Sequence, residues 1–250
     1  MMVQYGFYFD QSRCKDCRAC VLACRNWNNI PPGPVKWCRM FQWEKDVFPN
    51  LRLHFLFAPC YHCEDPVCIN ACPNKAIYKD NKFGAVLIDQ EKCDGCKQCF
   101  LACPYGAPQF QKDERGIRMS KCTMCIDRLE HGRGPICVES CPMRALDFGP
   151  LEDLIEKYGT SRDLQDLPSS SITKPAIIFK SHLAKKNLVP YDEDKALELL
   201  KKRDVLYHLS PLYVSERDVT DVPSSLVGRG ELTLKPKTVE EARHTTQHDD

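Results

Sequence analysis

The sequence predicts an α+β chain of two tandem modules built round cysteine-rich loops, and three observations carry that expectation. The first is the run Cys93 to Pro104, Cys-Asp-Gly-Cys-Lys-Gln-Cys-Phe-Leu-Ala-Cys-Pro. Its C-x2-C-x2-C-x3-C-P spacing is that of bacterial iron–sulfur ligands. The second is recurrence. Cys14, Cys17, Cys20 and Cys24 repeat the spacing, while Cys60, Cys63, Cys68 and Cys72, and then Cys122, Cys125, Cys137 and Cys141, repeat it with a longer gap before the third thiol. The third is an internal repeat of flanking segments. The strand-like phrases at 4–10 and 84–89 each end in an aspartate four residues before a cysteine, Cys14 and Cys93. Downstream, Cys72-Pro-Asn-Lys-Ala-Ile matches Cys141-Pro-Met-Arg-Ala-Leu. The predicted fold is therefore ferredoxin-like, two tandem bacterial-type two-cluster modules with an inserted hairpin and an extended C-terminal tail. Sixteen cysteines in four sets imply four 4Fe-4S clusters.

In chain order, Gln4 to Asp10 reads as a short buried strand leading into the first cysteine loop. Two apolar and aromatic runs, Val35 to Trp43 and Leu51 to Phe57, read as a hairpin inserted at about 35–57. Gly84 to Asp89 is the second module's strand. The loop Ile126 to Ile136 contains His-Gly-Arg-Gly-Pro and is expected to be irregular and on the surface. Leu151, Leu154, Ile155 and Tyr158 fall at helical spacing before Gly159, so a short amphipathic helix is expected there. A polar linker (166–175), a strand at 176–179, a helix at about 192–204 and a charged terminus (238–250) complete the chain. The expected organisation is an electron-transfer domain over 1–150 and, over 151–250, a helix, linker and tail that pack on the core or on a partner.

The bulk numbers narrow the function. With 250 residues and 43% hydrophobic content the chain can bury a core, and a net charge of +1 supplies no field for nucleic acid or anionic lipid. No stretch approaches the roughly 18 apolar residues of a membrane span. Seventeen cysteines without a secretory preamble favour thiolate ligands over disulfides, hence loading in a reducing compartment. The expected location is the cytoplasm, with export as a folded complex behind a signal-bearing partner as the alternative.

Soft thiolates suit iron–sulfur clusters, and three closely spaced cysteines wrap one loop round three corners of a cubane. In two-cluster ferredoxins the fourth cysteine of each run ligates the other cluster; spacing leaves open which runs exchange. Zinc is the competing reading, but zinc sites use two separated pairs and leave the third cysteine of Cys14–Cys24 and Cys93–Cys103 unexplained. Cys38 is read as a small buried hydrophobe, His62 as a loop residue beside a cluster, Lys92, Lys97 and Lys121 as solvated surface lysines by default, with a rise in a neighbouring cluster's potential from their charge as the alternative, and Trp27, Trp37 and Trp43 as packing. No phosphate cradle or catalytic triad occurs, so the chain is expected to move electrons and to transform no substrate.

Four segments carry a resemblance: Gln4-Tyr-Gly-Phe-Tyr-Phe-Asp, Cys60-Tyr-His-Cys-Glu-Asp-Pro-Val-Cys, Cys103-Pro-Tyr-Gly-Ala-Pro-Gln-Phe and Pro135-Ile-Cys-Val-Glu-Ser-Cys-Pro-Met-Arg-Ala-Leu-Asp-Phe-Gly. Over residues 3 to 180 the chain resembles the four-cluster iron–sulfur subunit of dimethyl sulfoxide reductase-like molybdoenzymes. The resemblance implies that the first and fourth sets exchange ligands, as do the second and third. One cluster would use Cys14, Cys17, Cys20 and Cys141, and its neighbour Cys24, Cys122, Cys125 and Cys137. The others would use Cys60, Cys63, Cys68 and Cys103, and Cys72, Cys93, Cys96 and Cys99. It also implies a wire that starts beside a large catalytic subunit carrying a molybdopterin cofactor and ends at an external partner, either a membrane anchor or a soluble carrier. Cys96 implies that the last cluster is 4Fe-4S and not 3Fe-4S. A formate dehydrogenase or hydrogenase complex is the alternative setting.

Overall fold

The computed structural model describes residues 3–45, 52–182, 195, 198, 232 and 234–238. Its central strand is β1 (Tyr5–Asp10). Five of its six residues are buried, an apolar run without alternation, which is what a strand covered on both faces requires. Helix α1 (Ala19–Trp27) follows the first cysteine loop. The strands β2 (Met40–Lys45) and β3 (Arg52–Phe57) pair as a two-stranded sheet. The one-turn helix α2 (Val67–Asn70) and the strands β4 (Ile77–Lys79) and β5 (Val86–Ile88) come next. Two short helices, α3 (Gln98–Ala102) and α4 (Ile126–Glu130), precede a third, α5 (Ile136–Glu139). Strand β6 (Leu146–Pro150), helix α6 (Leu151–Tyr158), a 3-10 turn at Ser170–Ile172 and β7 (Ile177–Lys180) close the described core.

The main sheet has the order β6-β1-β7, with β6 antiparallel and β7 parallel to β1. On one face Tyr8 packs with Leu151, Leu154, Ala176 and Ile178 under α6, and the rings of Tyr8 and Tyr158 stack at 3.6 Å. On the other, Phe7 meets Phe57 and Phe148 at 5.8 and 5.2 Å between ring centroids. A Cβ on Gly6 would stand 2.6 Å from the Ala176 carbonyl oxygen, so glycine is what lets the chain entering β7 lie against β1.

The sheet pairings repeat. β1, ahead of Cys14, pairs with β6, which follows Cys141; β5, ahead of Cys93, pairs antiparallel with β4, which follows Cys72. Asp10, which ends β1, and Asp89, which directly follows β5, make matching turns. The Asp10 N–H donates to the Ala145 carbonyl and that of Asp89 to Ala76, while their carboxylates accept from the N–H groups of Ser12 and Glu91, each at 3.0 Å. The chain divides into a larger unit, Met1–Gln42, His54–His182 and Leu232–Asp250, and a smaller one, Trp43–Leu53 and Leu183–Glu231.

Helix α6 ends at Gly159, whose φ of 91° suits glycine. The expectation of an irregular 126–136 loop needs correction. Ile126–Glu130 and Ile136–Glu139 each form a helical turn, because the glycines come after the first and Pro135 sits at the start of the second, where its missing N–H costs nothing. The helix expected near 192–204 lies outside the described residues, apart from Lys195 and Glu198.

Asp10 ties the first cysteine loop to the sheet, accepting from Lys180 Nζ at 3.0 Å as well as from Ser12. Burial alone would raise its pKa, but the hydrogen bonds from Ser12 and Lys180 outweigh burial and hold the carboxyl below its ordinary value. A carboxylate with a depressed folded-state pKa stabilises above its unfolded value of about 3.9 and loses that contribution as pH falls through the folded value. The thermal midpoint of Asp10→Asn is therefore expected to lie below that of the parent at neutral pH. The gap should close below about pH 4 as the parent's carboxyl protonates.

Candidate iron–sulfur centres

The cysteine loops share a local geometry that the repeat in the sequence anticipates. Between the first three thiols of two sets, Asp16 and Arg18 have φ of 50° and 58°, and Gly95 and Lys97 have φ of 73° and 62°. Arg18 and Lys97 each sit directly before a helix, α1 or α3. The turns after Cys72 and Cys141 hold Lys75 and Arg144 at φ of 49° and 50°. Left-handed residues interspersed in this way curl the backbone into nests of N–H groups, a recurrent surround of iron–sulfur clusters. Gly95 is under a second constraint, since a Cβ there would stand 2.4 Å from the Ile117 carbonyl oxygen. Gly95→Ala is expected to destabilise this loop by at least about 1–2 kcal/mol from the left-handed conformation alone, read as a lower thermal midpoint with iron lost first from this loop.

The structure gathers the thiols into four groups, each drawing on distant parts of the chain. Cys14, Cys17, Cys20 and Cys141 line one cavity. Cys60, Cys63, Cys68 and Cys103 line another, and Cys72, Cys93, Cys96 and Cys99 a third. Cys24, Cys122, Cys125 and Cys137 are all buried and are electrostatic neighbours. Burial pushes the Cys137 thiol well up, and the charges of Cys122, Cys24 and Cys125 push it further. Burial likewise pushes Cys14, Cys24, Cys63 and Cys99 up to about 12, so these sulfurs ionise only when a cationic centre takes them.

Donors already point at several sulfurs. The N–H groups of Ala76, Met119 and Met124 donate to the Sγ atoms of Cys72, Cys93 and Cys122 at 3.3, 3.5 and 3.3 Å, and Asn28 Nδ2 to Cys24 Sγ at 3.6 Å. Such bonds favour the thiolate and set cluster potentials. Among the described residues no three His, Cys, Asp or Glu side chains converge as one bound metal ion requires. The soft donor set and its spread round cavities fit a cluster better than zinc, whose sulfurs must close to about 2.3 Å from a single ion. Exposure differs between the groups. Cys17 and Cys96 are exposed, whereas every thiol of the Cys24 group is buried.

Several neighbours depart from the sequence expectation. Lys92 and Lys97 are paired at the surface, with Asp89 at 2.8 Å and Asp113 at 3.2 Å. Lys121 is no surface lysine; it is buried and donates to the carbonyls of Val86 and Cys122. Trp27 is not interior packing, being half-exposed with its Nε1–H on Asp127 at 2.8 Å and Arg128 over its ring at 4.5 Å. Cys38 is buried, as a small hydrophobe would be, and is also hydrogen-bonded to Cys20, which with burial raises its own pKa. His62 is fully buried and accepts the Val86 N–H at 2.9 Å through Nδ1. Burial, then the charges of Lys121 and Lys79, hold its pKa well below the usual value, so the ring is neutral. Arg39 escaped sequence reasoning altogether, and its only signal was a cation inside an apolar run.

Residues 51–151 match the description of a 4Fe-4S dicluster domain. An anaerobic dimethyl sulfoxide reductase chain of Escherichia coli K12 is 43% identical over 188 residues, covering 72% of this chain and 90% of the relative. A putative dimethyl sulfoxide reductase iron-sulfur subunit of Halobacterium salinarum is 32% identical over 241 residues, covering 81% and 91%. One subunit of the sulfite dehydrogenase of Allochromatium vinosum is 37% identical over 172 residues, covering 61% and 71%.

Proposed function

The chain belongs to the iron–sulfur electron-transfer subunits of dimethyl sulfoxide reductase-like molybdoenzymes, and we propose on that premise that its four thiol quartets hold four 4Fe-4S clusters in a single relay. The observation that carries the reading is the gathering of sequence-distant cysteines: Cys141 joins Cys14–Cys20, Cys103 joins Cys60–Cys68, and Cys72 joins Cys93–Cys99, each round its own cavity. The quartet of Cys24, Cys122, Cys125 and Cys137 supplies the remaining station. Each pair of exchanging sets, with its paired strands β1 and β6 or β4 and β5, makes one module.

A linear order is supported by shared elements. Cys20 and Cys24 lie on α1, linking the first quartet to the second. The charge of Cys60 is felt at Cys122, linking the second to the third. Cys68 lies on α2, four residues before Cys72, and Cys99 on α3, four residues before Cys103, linking the third to the fourth. The two exposed thiols, Cys17 and Cys96, then fall at the two ends. In the proposal, the Cys17 end faces a large catalytic subunit carrying a molybdopterin cofactor. The Cys96 end, beside an open cavity of about 770 Å³ lined by Phe100, Phe110 and Lys97, faces the external donor or acceptor. Bound clusters would supply one-electron exchange; the chain's residues fix their spacing, exclude water from the inner two and hold the thiolates in N–H nests. Among the described residues no helix is long and apolar enough to cross a membrane.

Anaerobic purification of the complex with metal analysis tests the reading. About sixteen irons attributable to this chain, four per cubane, alongside molybdenum or tungsten and a large partner, are expected. Sixteen irons with a partner lacking both metals would favour a hydrogenase setting, and zinc in place of iron would overturn the cluster assignment.

A further inference from the structure

We infer that Arg39 and Lys121, two buried cations with no carboxylate partner among the described residues, hold the cluster of the Cys60, Cys63, Cys68 and Cys103 quartet at the highest reduction potential in the chain, making it the station where an electron rests. The inference builds on the cluster assignment above.

Arg39 is 4% exposed and Lys121 3%. The Arg39 guanidinium donates to three carbonyls, those of Ala58 and Leu234 at 3.2 Å and that of Tyr105 at 2.9 Å. Ala58 stands two residues before Cys60 and Tyr105 two after Cys103, so the cation is fastened to both ends of one quartet. Lys121 lines the same cavity as the four thiols and donates to the carbonyls of Val86 and Cys122. Burial pushes the Cys103 and Cys68 thiols up, and the charge of Arg39 on the first and of Lys121 on the second pulls in the opposite direction. Both cations therefore act on this quartet's sulfurs.

Among the described residues neither cation has a carboxylate within ion-pair distance. Of the cations close to the other quartets, Arg18 pairs with Asp16, Arg128 with Glu139 and Lys97 with Asp113, while Lys15, beside Cys14, is exposed and Arg25, beside Cys24, is only half-buried. A buried cation without an anion is costly, and a neutral amide could supply the same donors to carbonyls. The anion that balances Arg39 and Lys121 is the cluster itself, whose four thiolates leave it negative in both redox states. Reduction adds one electron and deepens that charge; the electron comes from a neighbouring cluster that is thereby oxidised, and no bond or proton changes hands. Buried positive charge, weakly screened in a low-dielectric interior, favours the reduced state, and net charge near a cluster is one of the levers on its potential.

Redox titration of the anaerobically purified complex, followed by electron paramagnetic resonance, tests this. Lys121→Gln keeps donors for the carbonyls and removes the charge. It is expected to lower the highest midpoint by at least tenfold in the reduction equilibrium, about 59 mV for one electron, leaving the other three in place, while Lys121→Arg restores it. A Lys121→Gln complex with full iron and an unmoved highest midpoint overturns the inference without touching the cluster assignment, whereas missing iron in the parent overturns the assignment. Should Lys121→Gln fail to load, Cys63→Ser locates the station independently. A change in the highest-potential component supports the inference, and a change confined to a lower one overturns it.

Discussion

Cys137→Ser in the complete complex is expected to abolish electron passage from the external partner to the catalytic subunit while leaving the assembly intact. Cys137 belongs to the quartet whose four thiols are all buried, so its cluster exchanges electrons only with neighbours inside the chain. Serine oxygen is a hard ligand where the iron needs a soft thiolate, and the site is too deeply buried for water to stand in. The expected readouts are a fall of four irons from about sixteen, four per cubane, and turnover with the physiological donor at background. Turnover persists with a small dye that reduces the catalytic subunit directly. Cys38→Ser is the control. Cys38 touches Cys20 but lies outside every set, so that variant should keep all its iron. Loss of iron from Cys38→Ser equal to that from Cys137→Ser would show that the ligand set has been drawn wrongly.

The parts of this architecture that were legible in the sequence are those governed by local spacing. Thiols three residues apart must share a loop, and the aspartate four residues before Cys14 or Cys93 marks where a strand turns into that loop, as Asp10 and Asp89 do. The exchange of distant cysteines proposed above comes from the resemblance; spacing alone leaves it open. What stayed hidden was set by tertiary burial. Lys121 reads as an ordinary surface lysine beside a cysteine because nothing in the sequence shows that β5 closes over it. Trp27 reads as packing because its partner, Asp127, lies one hundred residues away. The glycines and proline of 126–136 read as forbidding helix throughout, whereas in the structure they punctuate two single turns.

The largest expected stability change away from the ligands is at Arg39. Arg39→Met removes the side-chain donor that the carbonyls of Ala58, Tyr105 and Leu234 share, and each buried orphan costs about 1–3 kcal/mol. Opposing this, methionine avoids the desolvation of a buried guanidinium, a penalty of several kcal/mol for an isolated ion. The charge of the adjacent cluster decides which effect wins. In the loaded chain the cation has its counter-ion, so removing it resembles breaking a buried pair, and a loss of about 3–5 kcal/mol is expected. Leu234 also lies against Gly106, where a Cβ would meet its carbonyl oxygen at 2.5 Å. Loss of Arg39 should therefore free the segment 234–238 as well as loosen the quartet. The measurements are the temperature at which iron is released and the rate of limited proteolysis on the C-terminal side of residue 232. Arg39→Met should lower the first and raise the second, with Arg39→Lys intermediate, because a point charge keeps the attraction to the cluster but cannot span three carbonyls. An Arg39→Met complex that releases iron at the parent's temperature would mean that the guanidinium is balanced by its carbonyls alone, and that the cluster exerts no hold on it.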